Sequence, residues 1–178
     1  MEWGLSMSRS KCNLYKTKIL EGSMLVIDPS SGGTSRKGEQ SNAGWAEFKN
    51  GKLKASGIIE LDHGKYKEDR LRAISDCLRS EFKANYDLMV IENIEGYGAA
   101  KTLIQACGAF ICSTNGRLIE MNVKTWQAIA NRLGGWVKGD EADAIYIGWA
   151  CVAFALGYNQ KESEEQREEF LKEVRKLM

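Results

Sequence analysis

The chain is poor in the residues that mark the commonest metal and cross-linking chemistries. It holds a single histidine, His63, and five cysteines (Cys12, Cys77, Cys107, Cys112, Cys151) with no Cys-x-x-Cys pair among them. A zinc site needs clustered Cys and His ligands, and a disulfide framework needs an even, regularly spaced set, so neither is expected and zinc has no place here. Three of the cysteines interrupt apolar helical patterns and read as small buried hydrophobes, which suits a reducing compartment. The one proline, Pro29, marks no interdomain linker. No apolar stretch is long and uncharged enough to span a bilayer, and residues 1–22 lack a signal-peptide core. The expectation is a cytoplasmic protein with no membrane partner. Net charge is +1, which by itself names no partner.

What is present fits one domain of 178 residues, 43% hydrophobic and 28% charged. Charge is unevenly spread: Arg9, Lys11, Lys16 and Lys18 occur with no acid among them, whereas 162–173 is strongly acidic. Met24-Leu25-Val26-Ile27 is apolar without alternation, which predicts a strand over 23–28 buried on both faces. Ala43–Phe48 and Lys52–Leu61 flank Asn50-Gly51, a two-residue hairpin signal. A helix is expected over 66–84, with Leu71, Ile74, Leu78 and Phe82 on one stripe, then a second buried strand over 87–92. Ala99–Thr114 reads as a helix, Arg117–Met121 as a short strand, Val123–Leu133 as a helix stopped by Gly134-Gly135, and Asp140–Gly157 as the last core helix. The order β1β2β3-α-β4-α-β5-α-α belongs to the α/β class, a mixed sheet with helices on its faces. Residues 1–22 read as an extension, 23–158 as the domain, and 159–178 as a charged helix that docks through Phe170, Leu171, Val174 and Leu177.

Four acids stand out against this frame. Asp28 and Glu92 each end a buried apolar strand, where a carboxylate loses hydration and needs a compensating role. Asp140 and Asp143, three apart before the long apolar helix, face the same way. If the two strands pair, Asp28 and Glu92 come within about one strand spacing, ~5 Å. Such a set can hold two divalent cations about 4 Å apart, which clamp a phosphodiester for in-line attack by water. Oxygen donors without His or Cys favour magnesium, with manganese able to substitute. A competing reading makes Asp140 a helix N-cap and Glu141 and Asp143 partners of the helix dipole. Capping explains that pair alone, but it does not explain Glu92.

These residues carry a family resemblance. Leu25-Val26-Ile27-Asp28-Pro29 is similar to the Ile-Asp-Pro-Gly start of the RuvC-type Holliday junction resolvases, of the RNase H-like superfamily. Ala43-Gly44-Trp45 resembles their Thr-Gly-Trp, and Val90-Ile91-Glu92 their second acidic strand. Ile104-Gln105-Ala106-Cys107-Gly108 resembles a Gly-Gln-Ala-Arg-Gly helix segment, and Asp140-Glu141-Ala142-Asp143-Ala144 their Asp-Ala-Ala-Asp-Ala. Together these pieces span 23–157, in the family's order and spacing. The resemblance implies an RNase H-like mixed five-stranded sheet and a homodimer that nicks four-way DNA junctions in symmetrical pairs, leaving 5′-phosphate and 3′-hydroxyl ends. It implies Asp28, Glu92, Asp140 and Asp143 as ligands of two magnesium ions, in a bacterial or phage-infected cell. Lys124 matches a lysine near the scissile phosphate, though a solvated helix-start lysine would look the same. Arg36, Lys37, Tyr97, Lys101 and Lys138 are further expected DNA contacts. Two departures stand out: the 29–42 loop is longer than the family's, and Tyr97 is displaced from its aromatic. The rival functions are a related nuclease for RNA–DNA hybrid, flap or other branched DNA, a non-catalytic DNA scaffold, and an actin-like phosphotransferase. For the last the chain is too short.

Overall fold

The unbroken apolar run Met24–Ile27 lies in β1 (Ser23–Asp28), the middle strand of a five-stranded sheet. The computed structural model describes residues 3–28, 42–59, 80, 82, 86–93 and 117–178. Helices α1 (Trp3–Leu14) and α2 (Lys16–Glu21) precede β1; β2 (Ala43–Lys49), β3 (Lys52–Ile59), β4 (Leu88–Asn93) and β5 (Arg117–Asn122) complete the sheet. Helices α3 (Val123–Leu133), α4 (Asp140–Leu156) and α5 (Glu164–Leu177) follow. The strand order is β3-β2-β1-β4-β5. β1 runs antiparallel to β2 and parallel to β4, which is itself parallel to β5. Asn50 and Gly51, with φ of 53° and 69°, make the tight turn between β2 and β3, the left-handed pair such a hairpin demands.

Side chains alternate across the sheet and build two cores. Met24, Val26, Phe48, Leu88, Val90, Ile119 and Met121 point to the helical face. Leu25, Ile27, Met89 and Ile91 point to the other, where Trp45, Phe82 and Leu118 pack beside them. The helices expected over 66–84 and 99–114 lie outside the described residues, apart from Ser80 and Phe82. By the same alternation, Asp28 and Glu92 fall on the helical face, two residues beyond Val26 and Val90.

That face is covered chiefly by α4. Trp149 and Phe48 meet edge to face at 4.9 Å, and burial of each such ring contributes about 1.5–3 kcal/mol. A Cβ on Gly148 would stand 2.2 Å from the Phe48 ring, so this close crossing requires glycine. Residues 1–22 add to the same core: Cys12 and Ile19 are fully buried in it. Cys12 and Cys151 are free thiols in contact there, and burial pushes the Cys151 thiol up. The acidic tail forms α5, capped reciprocally by Ser163 and Gln166, and docks through Leu171 and Val174 with Phe170 and Leu177 beside them. Among the described residues, no helix is long and apolar enough to cross a membrane.

Candidate active site

Parallel pairing of β1 with β4 places Ile27 opposite Ile91, so the next residues on the two strands are Asp28 and Glu92. On the other side of β1, Asp28 stands opposite Gly44 of β2. That glycine opens room for the first turn of α4, since a Cβ there would lie 1.7 Å from the Asp140 carbonyl oxygen. Asp140 and Asp143 are thereby brought over the ends of the two acidic strands. The capping role considered for Asp140 does not hold: Gly139 occupies the N-cap, no side chain caps the helix, and Asp140 is its first residue. The Asp140 carboxylate instead accepts a hydrogen bond from the backbone N–H of Asn42.

The four acids feel one another. Burial holds the Asp28 carboxyl well above the usual carboxylate range, and Glu92, Asp143 and Asp140 push it further. Burial also raises Glu92, against the pull of a Trp126 hydrogen bond and with a push from Asp143. Asp140 is raised by burial and by Asp143, with the Asn42 N–H opposing. Among the described residues, none of the ion pairs uses any of the four. An all-carboxylate set that no ion pair among the described residues offsets fits a hard divalent ion in kind. The side chains are not gathered into a cage as they stand: among the described residues, no three His, Cys, Asp or Glu groups are grouped to hold an ion. Two of the acids are engaged by indoles. Trp126 Nε1 donates to Glu92 Oε1 at 2.9 Å, and Trp136 Nε1 donates to Asp143 Oδ1 at 2.8 Å.

No family model and no curated protein sequence matches the chain. Solved structures do. RuvC of T. thermophilus, solved in complex with a Holliday junction substrate, aligns over 75% of this chain and 94% of its own with a TM-score of 0.52 at 14% identity. The fowlpox virus Holliday junction resolvase aligns over 73% and 97% with a TM-score of 0.42 at 17% identity. The fold is that of a RuvC-type resolvase.

On this RuvC-type frame Glu92, Asp140 and Asp143 come within electrostatic reach of Asp28 without forming a cage, while the predicted cations divide. Lys124 is exposed in the first turn of α3, its backbone N–H donating to the Asn122 side chain, two residues from Trp126. Lys138 is exposed on the connection leading into Asp140. Arg36, Lys37, Tyr97 and Lys101 lie outside the described residues. Sequence reasoning passed over Trp126 and Trp136. Trp126 was hidden among apolar helix positions, but Trp136 had a signal: an aromatic in Gly134-Gly135-Trp136-Val137-Lys138-Gly139 has no periodic partner to pack on. Glu141, read from the sequence only as a partner of the helix dipole, accepts a hydrogen bond from Ser56 Oγ at 2.7 Å and ties α4 to β3.

Proposed function

We propose that this protein is a metal-dependent endonuclease that resolves four-way DNA junctions by paired symmetrical nicks, as a homodimer, in recombination or repair. The observation that carries the proposal is the convergence of Asp28, Glu92, Asp140 and Asp143 at one end of the central strands. Three carboxylates raised by burial, with Asp143 pressing on each of them and no ion pair to any of the four among the described residues, are costly unless they serve a ligand. The fold they sit on is shared with a protein solved on a Holliday junction substrate, which favours branched DNA as the ligand's partner.

Two magnesium or manganese ions held by the four acids would activate a water and stabilise the leaving oxygen of a phosphodiester. The chain's own residues supply position and charge. The paired strands fix Asp28 and Glu92, and the first turn of α4 fixes Asp140 and Asp143. Lys124, exposed in the first turn of α3, meets the scissile phosphate as a point charge. Lys138, with Arg36, Lys37 and Lys101, holds flanking backbone phosphates, and Tyr97 contacts bases near the branch. Strand cleavage leaves a 5′-phosphate and a 3′-hydroxyl.

The test is cleavage of a synthetic four-way junction with magnesium, beside linear duplex, flap and RNA–DNA hybrid, with Asp28→Asn in parallel. Paired nicks confined to the junction and lost in the variant support the proposal. Preferential cutting of hybrid or flap, also lost in the variant, would keep the chemistry and replace the substrate. No cutting despite junction binding would replace the nuclease with a scaffold. A protein that sediments only as a monomer at micromolar concentration, with and without DNA, would remove the dimer.

A further inference from the structure

Trp126 and Trp136 have no part in the hydrolysis proposed above, yet they connect two of its acids. Trp126 comes from α3 and is 1% exposed; Trp136 is half-buried on the connection between α3 and α4. Their rings meet edge to face, with centroids 5.5 Å apart and planes at 88°. One indole N–H is spent on Glu92 and the other on Asp143. A continuous path therefore runs carboxylate–indole–indole–carboxylate, from the end of β4 to the first turn of α4.

We propose that the two tryptophans act as a bracket: each indole takes one oxygen of its acid and leaves the other for a divalent cation, while the ring contact fixes the spacing between Glu92 and Asp143. The donor type suits that task. An indole N–H only donates, carries no charge and does not titrate near neutrality, so it orients a carboxylate without cancelling the charge a cation needs. A lysine or arginine in its place would orient the same oxygen and compete for the same charge. Trp126 and Trp136 are positioning residues, acting through the acids. Groups that orient metal ligands typically matter by about 10–100-fold in affinity or activity.

This bracket rests on the metal-nuclease function proposed above, and the test separates the two. Manganese binding to the full chain without DNA is followed by the electron paramagnetic resonance of the free ion. The wild type is compared with Trp126→Phe, Trp136→Phe, the double variant, and Trp149→Phe. Trp149 is a control: it is 2% exposed, it packs edge to face on Phe48, and neither of the indole bonds to Glu92 and Asp143 is its own. Phenylalanine keeps an aromatic ring at each place and removes only the donor and part of the volume. Circular dichroism establishes that each variant is folded, and the half-buried Trp136 keeps the test open if Trp126→Phe fails to fold.

The expected result is manganese binding weakened about 10–100-fold in Trp126→Phe and Trp136→Phe and unchanged in Trp149→Phe. Because the rings support each other, the double variant should lose less than the product of the single losses. In cleavage, the rate should recover at high manganese with the KM for DNA unchanged. Wild-type affinity in folded Trp136→Phe and the double variant would overturn the bracket while leaving the metal centre intact. An equal loss in Trp149→Phe would also overturn it, since the effect would then be general packing. A wild type that binds no manganese would remove the metal function itself, and the bracket with it.

Discussion

Gly44 stands opposite Asp28 in the sheet and directly beneath Asp140 of α4, so a residue without a side chain sets how the strand acid and the helix acids meet. The clearance is with backbone: a Cβ at Gly44 would lie 1.7 Å from the Asp140 carbonyl oxygen and 2.9 Å from the Glu141 nitrogen. Helix backbone cannot swing aside as a flexible side chain can. Gly44→Ala should therefore lift the first turn of α4, destabilise the fold by about 1–3 kcal/mol, and cut cleavage about 100-fold at temperatures where it remains folded. Thermal denaturation and single-turnover cleavage read the two effects. Wild-type values in both would mean that α4 is not seated on β2 at this point.

Lys124 and Lys138, both expected to touch DNA, should separate by kinetic signature. Lys124, exposed in the first turn of α3, is expected to act on the phosphate being cut, so Lys124→Ala should lower kcat about 100-fold with little change in junction binding. Lys138 is exposed on the approach to Asp140 and is expected to hold a flanking phosphate. Lys138→Ala should weaken binding to every DNA form alike and reduce the salt slope of log K by about 1, with kcat nearly unchanged. Titrations at several salt concentrations, paired with single-turnover rates, tell these patterns apart. The same profile in both variants would refute the division.

Much of this architecture is legible because periodicity and turn chemistry act locally. The apolar run to Asp28 named the central strand, Asn50-Gly51 the hairpin, and Gly134-Gly135 the end of α3, all within a residue or two of the observed bounds. Asp28 and Glu92 stood out for a related reason: a carboxylate ending an apolar strand breaks a local rule, and such a break is where a function is sought. What escaped depends on contacts distant along the chain. The Trp126–Glu92 and Ser56–Glu141 hydrogen bonds span 34 and 85 positions, and no local pattern encodes either. The competing cap reading of Asp140 fails: an acid after glycine before a helix is a good cap by local criteria, yet Gly139 takes that position. Cys12 and Ile19 in the core were similarly out of reach, since a short helix shows its buried side only when its partner is known.

A divalent cation that binds the native acid cluster and not the unfolded chain must stabilise the fold. At a magnesium concentration 100 times its dissociation constant the gain is about 2.7 kcal/mol. Scanning calorimetry of the wild type should show a rise in Tm with magnesium that is reversed by chelator. Asp28→Asn and Glu92→Gln should show little of it. A rise of the same size in Asp28→Asn would place the ion elsewhere.

Without divalent ions, the same acids should make stability fall as pH rises. Asp28, Glu92 and Asp140 have folded pKa values above the ordinary range, burial being the largest cause for each. In the unfolded chain they ionise near pH 4. Between that value and the raised folded values, the native state binds more protons than the unfolded state, so unfolding free energy declines with pH across the window. Below the window both states are protonated and the penalty vanishes; above it both are ionised and the penalty is complete. An amide at position 28 does not titrate and also relieves its three neighbours. In chelator at pH 7, Asp28→Asn should therefore melt above the wild type, and the difference should shrink as pH approaches 4. Denaturation at a series of pH values measures that difference directly, with the titration of groups outside the acid cluster cancelling between the two proteins. A wild type that is the more stable of the pair at pH 7 would mean that hydrogen bonds to the ionised acids outweigh their burial and mutual repulsion.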